Sequence, residues 1–364
     1  MNNQIKIIAE IGVNHNGDME LAKDSIVAAK EAGADIVKFQ LFSATKLASK
    51  SSQKSGYQIR NTGGSGSQVN MLKQLELSID GMAKLRDFCH QQQLTFLLSA
   101  FDDDSLQAMK YPLNLSDIKI PSGEITNIAM LIEIGQSFEN IILSTGMSLL
   151  TDVEFAVAAL CFGKAGGDPS QFKDSDDAIA KIYQAYDEPT NRAALLPHLT
   201  LLQCTSEYPA PVEDVNLRTM ATMAQAFHCD VGFSDHTLGS HIPVAAVAMG
   251  ARVIEKHFTL DKNLPGPDHL ASLSPAEFAD MVKQINDVQQ ALGDGVKTIT
   301  PGERDTIGVA RKFVIAEQQI DKGALFTKEN IAVKRGKGTM PPIKIYDLYN
   351  RAAPVRYESD DGIE

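Results

Sequence analysis

Short β-branched runs alternate with apolar stripes at helical spacing along roughly the first 290 positions of the chain. The runs that read as strands are Ile5–Gly12, Ile36–Gln40, Leu94–Ala100, Asp117–Ser122, Asn140–Gly146, Thr200–Ser206, Asp230–Asp235 and Arg252–Thr259. Between them, apolar positions three and four apart predict helices over Leu21–Ala32, Met82–Gln92, Ala129–Gly135, Asp152–Leu160, Leu217–Ala226, His241–Gly250 and Pro275–Leu292. Eight strands alternating with helices predict an α/β fold, a closed (β/α)8 TIM barrel. An open doubly wound sheet is the competing architecture, but no Gly-rich dinucleotide-type turn follows the first strand.

Two stretches interrupt the alternation. Residues 43–79 are polar, with Ser-Ser-Gln-Lys-Ser-Gly and Asn-Thr-Gly-Gly-Ser-Gly-Ser, and read as a lid or a disordered loop. Residues 163–198 are charged, carry Pro169, Pro189 and Pro197, and follow the fifth helix. In a barrel that places them on the face away from the chemistry, as decoration or a subunit contact. The helical pattern stops in a Gly-, Pro- and Thr-rich stretch at 293–304. The expected organisation is therefore a catalytic barrel over 1–292, a linker over 293–304 and a small β-rich domain with little helix over 305–364. A domain of about 60 residues is near the lower limit for an independent core, so it is expected to pack on something else.

Functional side chains in such a barrel gather at the C-terminal ends of the strands. Here those ends carry Glu10; Lys38 and Gln40; Ser99 and Phe101; Lys119, Ser122 and Glu124; Ser144 and Thr145; Ser206 and Tyr208; Ser234 and His236; Glu255 and His257. Lys38 in Ile-Val-Lys-Phe-Gln and Lys119 in Asp-Ile-Lys-Ile-Pro alternate with apolar neighbours that face the helices, so both point into the barrel. A buried ammonium group needs a carboxylate partner or an anionic ligand, and two of them suit a phosphate or carboxylate. His236 and His257 end neighbouring parallel strands joined by one helix, each with an acid beside it (Asp235, Glu255). Such a pair can share one divalent metal with positions open for water and substrate. Asp268 in Pro-Gly-Pro-Asp-His is either a sugar-hydroxyl ligand or a plain turn residue; His15 lies in a turn after the first strand.

Bulk composition narrows the partners. The chain has 364 residues, 43% of them hydrophobic, and a formal net charge of −12. Phosphate-backbone binding needs a basic surface, which argues against nucleic acid. No run reaches the ~18 apolar residues of a membrane span, and Met1–Gln4 lead straight towards a strand without a signal core. Cys89, Cys161, Cys204 and Cys229 lack CxxC spacing and stand in core-like contexts, as expected of reduced thiols in a cytoplasmic protein.

Nine segments recur in a familiar order: Ile-Ala-Glu-Ile-Gly-Val-Asn-His-Asn-Gly, Val-Lys-Phe-Gln, Lys-Ile-Pro-Ser-Gly-Glu, Leu-Ser-Thr-Gly-Met, Gln-Cys-Thr-Ser-Glu-Tyr-Pro, Gly-Phe-Ser-Asp-His-Thr, Glu-Lys-His-Phe-Thr, Pro-Gly-Pro-Asp-His and the tail Asp-Lys-Gly-Ala-Leu-Phe-Thr-Lys-Glu-Asn-Ile. Over nearly its whole length the chain resembles the sialic acid synthases of neuraminate, legionaminate and pseudaminate type. Its tail resembles their antifreeze-like SAF domain. The resemblance implies that phosphoenolpyruvate condenses with the open-chain aldehyde of an N-acylated hexosamine, giving a nine-carbon 2-keto acid and phosphate. It implies a divalent metal, manganese first and magnesium or cobalt otherwise, on His236 and His257. Lys38, Lys119, Ser99, Ser122, Ser144 and Ser234 match positions around phosphoenolpyruvate, and Glu10 and Glu124 are the acid/base candidates. Gln40, Phe101, Ser206, Tyr208, Glu255 and Asp268 match the substrate's surroundings. Arg335 matches an arginine that enters a partner's active site, which implies a homodimer with exchanged SAF domains. Ser206, where some neuraminate synthases carry asparagine, leaves the amino sugar open, while Pro-Gly-Pro-Asp-His resembles the neuraminate and legionaminate branches. Two other readings compete: a Schiff-base aldolase acting through Lys38 or Lys119, and a non-catalytic carbohydrate- or ice-binding protein.

Overall fold

The computed structural model describes residues 5–64 and 66–364; the Met1–Gln4 lead-in and Ser65 of the polar insertion lie outside them. The chain divides into two compact units, Met1–Gly293 and Asp294–Glu364. The first is a closed barrel of parallel strands in sequential order: β1 (Lys6–Gly12), β2 (Ile36–Leu41), β3 (Thr95–Ala100), β4 (Asp117–Ile120), β5 (Asn140–Ser144), β6 (Leu199–Cys204), β7 (Asp230–Asp235) and β8 (Val253–His257). Strand β8 pairs back onto β1, from Lys6 opposite Val253 to Glu10 opposite His257, and this closure excludes the open sheet. All eight strands expected from the apolar runs form, with ends that differ by no more than two residues.

The alternation of side chains along each strand explains both the packing and the polar mouth. Outward residues such as Ile7, Ala9, Val37, Phe39, Leu98 and Ile254 are buried against the surrounding helices. Inward residues Ile8, Ile36, Leu97, Leu202 and Val253 fill the barrel as a separate apolar cluster. Two residues further along the same strands, on the same face, stand Glu10, Lys38, Ser99, Cys204 and Glu255. The barrel is thus plugged by hydrocarbon at one end and lined by polar groups at the C-terminal end.

A helix follows each strand. Pro275–Leu292 matches its apolar stripe end to end, and the other stripes form helices offset by one to four residues. The helix Asp103–Lys110 has too short an apolar stripe to announce itself; its signal is Asp102, whose carboxylate caps the Ser105 amide at 2.9 Å. The 43–79 insertion is not a structureless loop. It holds short helices Ala44–Leu47, Gly56–Thr62 and Gln68–Lys73. Ala44, Ala48, Val69, Met71, Leu72 and Leu75 join Val13 and Phe42 in a small core of their own. The 163–198 insertion folds into helices Ser175–Asp187 and Pro189–Leu195, and their fully buried Ile182 and Leu195 belong to the main core. It is part of the barrel's packing as well as its periphery.

The second unit is small and β-rich. Strands β9 (Lys312–Ala316) and β10 (Ile331–Arg335) pair antiparallel over a core that includes Val314, Ile320, Phe326, Ile331 and Ile363. A helix, Pro301–Ala310, begins inside the stretch whose composition reads as a linker. Thr300, Pro301 and Glu303 supply its capping box, with the Thr300 amide 2.8 Å from the Glu303 carboxylate. No helix among the described residues is long and apolar enough to cross a membrane.

Candidate active site

Strand register brings the polar inward residues together. Glu10 stands opposite Lys38 on one side and His257 on the other; Ser99 pairs with Lys119, and Ser234 with Glu255. β1 ends in an irregularity at Gly12, which adopts φ +55° and would place a Cβ 2.8 Å from the Glu10 carboxylate. Only glycine fits there without displacing Glu10. The C-terminal strand ends enclose a cavity of about 520 Å³. Glu10, Lys38, Gln40, Phe101, Lys119 and Ser122 line it from β1 to β4; Glu124, Ser144, Ser206 and Tyr208 from the loops and strands that follow; Ser234, His236, Glu255, His257 and Asp268 complete it. Ser99 is fully buried behind this lining, and its hydroxyl has no hydrogen-bond partner among the described residues. Arg335 belongs to the other unit, where it is exposed at the end of β10.

The floor of the cavity is a buried ionic cluster. Lys38 Nζ lies 2.8 Å from one Glu10 oxygen and 3.7 Å from Glu255, and Lys119 Nζ lies 3.6 Å from the other Glu255 oxygen. The Gln40 amide donates to Glu10 and the Ser234 hydroxyl to Glu255, each at 2.8 Å. Burial would raise Glu255, but the Lys119 and Lys38 ammonium groups outweigh it and hold the carboxyl at about 2. Burial raises Glu10, against Lys38 and with the help of Glu255's charge, so Glu10 is the carboxyl of the pair that more readily holds a proton. Lys38 remains a cation because its carboxylates overcome its burial, whereas burial pulls Lys119 down. Asp268 is pushed up to about 7, by burial and then by Glu10. Glu124 is also raised by burial, but it stands half-exposed and accepts from Asn127 at 2.8 Å.

The two histidines meet beside this cluster, with ring centroids 5.4 Å apart. His236 donates through Nδ1 to the Thr205 carbonyl at 2.6 Å, which leaves its Nε2 lone pair free. His257 is held neutral by burial, reinforced by His236 and Lys38, and its Nδ1 has no hydrogen-bond partner among the described residues. Burial lowers His236, but Cys204 beside it outweighs this and raises it, so of the two rings His257 is the one held neutral; once His236 gives up its second proton, the pair could share one divalent ion. The described residues hold no group of three or more His, Cys, Asp or Glu arranged to bind a metal. The acids flanking the histidines do not behave alike. Glu255 faces the cavity, but alternation turns Asp235 to the outer face, where it pairs with Lys256 at 2.5 Å with both side chains fully buried.

The family model described as the NeuB family matches residues 25–297. The chain belongs to the NeuB family, the sialic acid synthases. The N,N'-diacetyllegionaminic acid synthase of Campylobacter jejuni is 40% identical over 357 residues, covering 98% of each chain. That of Legionella pneumophila is 41% identical over 336 residues, covering 92% of this chain and 86% of the other. The crystal structure of an N-acetylneuraminic acid (sialic acid) synthetase from Leptospira borgpetersenii, in complex with citrate, is similar with a TM-score of 0.65 and 28% identity, covering 84% of this chain and 91% of that one.

Several lining residues of this NeuB-family site escape the strand-end rule. Tyr57, Gln58 and Gln68 come from the insertion, with Met71, Leu72 and Leu75 beside them. The only sequence signal is an aromatic residue inside an otherwise polar stretch. Cys204 is buried as expected of a core thiol, yet it lines the cavity 3.8 Å from His236 Nδ1. His15 is fully buried and accepts the Gly17 amide at 3.0 Å; it is absent from the cavity lining.

Proposed function

We propose that the enzyme condenses phosphoenolpyruvate with the open-chain aldehyde of an N-acylated hexosamine, giving a nine-carbon 2-keto sugar acid and phosphate. Membership of the sialic acid synthases supplies the coarser statement, an enzyme that builds nonulosonic acids. The observation that carries the finer one is the buried Lys38–Glu10–Glu255–Lys119 cluster beside the His236–His257 pair in a single cavity. Lys38 and Lys119 bind the phosphate and carboxylate of phosphoenolpyruvate, with hydroxyls of Ser122, Ser144 and Ser234 around them; Ser144 has no hydrogen-bond partner among the described residues and is free to donate. Glu255, ionised throughout the physiological range, keeps both ammonium groups in place. A divalent ion on His236 and His257, manganese first and magnesium or cobalt otherwise, would polarise the aldehyde oxygen. The enol carbon attacks the aldehyde carbon, water adds to C2, and the C2–O bond to phosphate breaks. Glu10 is the better placed of the two carboxyls to move the proton, since it can hold one inside the ionic cluster; Glu124 stands at the rim.

The sugar follows the relatives at 40 and 41% identity, which are N,N'-diacetyllegionaminic acid synthases. A diacetamido hexose is the proposed substrate and N-acetylmannosamine the alternative. In the same reading, Asp294–Glu364 is a SAF domain whose Arg335 enters the active site of a second copy in a homodimer with exchanged domains. Phosphate release from phosphoenolpyruvate tests the reaction: it is expected to require the amino sugar, to stop in EDTA and to return with manganese, magnesium or cobalt. Full release in EDTA would remove the metal.

One observation favours a second reading. Burial lowers Lys119, and a lysine less fully protonated is what an imine-forming aldolase uses. Glu255 3.6 Å away opposes this by favouring the ammonium form. Borohydride trapping of a substrate on Lys119, with activity surviving EDTA, would decide for the aldolase.

A further inference from the structure

We propose that the insertion chooses the sugar: Tyr57, held by Gln58 and stacked on Tyr208, forms a subsite for an acylamino group on the far half of the hexose chain. The enzyme would then prefer a deoxy hexose with a second acylamino group over one that carries only hydroxyls there. The inference rests on the condensation proposed above.

Three rings order the cavity from its reactive end outward. Tyr208 lies over His236 with centroids 4.0 Å apart, and Tyr57 lies over Tyr208 at 4.8 Å and an interplanar angle of 37°. A substrate whose carbonyl carbon meets the histidine pair therefore passes Tyr208 with its near carbons and reaches Tyr57 with its far ones. Met71, Leu72, Leu75 and Pro267 give the same cavity an apolar stretch of lining. Hydroxyls pressed against such a surface lose their water without gaining partners. The methyl of an acetyl group or of a 6-deoxy carbon fills it favourably, and an amide plane stacks on an aromatic face.

The amide itself finds its complement close by. Gln58 is 9% exposed, and its carbonyl oxygen accepts the Ser55 amide at 3.0 Å and the Gln68 side chain at 3.4 Å. That contact engages one N–H of Gln68 and leaves the other for an acyl oxygen. The subsite is also braced across the mouth. Asn61, on the same helix as Tyr57, donates to the Pro267 carbonyl at 2.5 Å, and the neighbouring Arg60 faces Glu207 at 3.7 Å. Tyr57 is thus built into a fixed wall, and an insertion that reads as a polar loop gains a specific task.

The test compares kcat/KM for two aldehydes with phosphoenolpyruvate and manganese in excess: N-acetylmannosamine, and a 6-deoxyhexose with acetamido groups at C2 and C4. The wild type is expected to prefer the diacetamido sugar. Tyr57→Ala should shift the ratio of the two kcat/KM values toward N-acetylmannosamine by roughly 10- to 100-fold, the range a hydrophobic pocket contact commands. Tyr57→Phe keeps the ring and should hold the ratio close to that of the wild type. An equal loss for both sugars in Tyr57→Ala would make Tyr57 a structural residue and overturn the subsite. So would a ratio in Tyr57→Phe that falls as far as in Tyr57→Ala. Wild-type enzyme that releases no phosphate with either sugar overturns the proposed reaction itself, and that outcome is distinct from turnover without discrimination.

Discussion

Removing one ammonium group from the floor of the cavity leaves a buried carboxylate without its partner and, in the proposed reaction, phosphoenolpyruvate without its cation. Lys38→Met and Lys119→Met are therefore expected to lower kcat/KM for phosphoenolpyruvate by ~10²-fold or more, since a charge-assisted bond is worth ~1.5–3 kcal/mol and each ~1.4 kcal/mol is a factor of ten. Steady-state kinetics at saturating sugar checks this, and an unchanged phosphoenolpyruvate term would count against both roles. His15 bears on stability instead. Burial holds it at about 4 against an ordinary 6.5, so the native state keeps it neutral while the unfolded chain protonates first. Its contribution is complete above pH 6.5 and is lost as pH falls through 4, a difference of about 3 kcal/mol for one such group. Denaturant titrations of His15→Asn should show a shallower fall over that window; an identical slope would move the acid sensitivity elsewhere. Inward-pointing lysines and the histidine pair are legible from strand alternation alone. Tyr57 is not, because its role depends on where a separate segment folds back.

At the scale of elements, the strands and helices with long apolar stripes declare themselves, since burial on both faces of a parallel barrel demands them. The insertion does not. Its apolar residues are scattered among Ser, Gly and Gln, and only the folded chain gathers Val69, Met71, Leu72 and Leu75 against Val13 and Phe42. The helix Pro301–Ala310 was legible in principle through Thr300, Pro301 and Glu303, but the glycines around it carry the opposite signal. Leu72→Ala should remove ~2–4 kcal/mol of packing from the insertion's small core. Hydrogen exchange would then accelerate across residues 44–73 while β1 to β8 keep their protection. Uniform acceleration would mean that the insertion is no separate packing unit.

At the scale of the molecule, a chain with net charge −12 must concentrate cations locally to hold an anionic substrate. In the proposed dimer Arg335 of one copy adds a cation to the other's Lys38 and Lys119. Arg335→Ala and His236→Ala chains should each be inactive alone, and mixing them under subunit exchange should restore activity in one of the two composite sites. No recovery on mixing would contradict the exchange.

The reaction itself is tested most directly with phosphoenolpyruvate carrying ¹⁸O in the C2–O–P bridge. Mass spectrometry of a turnover with manganese and the diacetamido hexose should find a nine-carbon keto acid free of label and all the label in phosphate, because water supplies the new C2 oxygen. A keto acid that retains the label, or phosphoenolpyruvate left unconsumed with every amino sugar offered, would contradict the account.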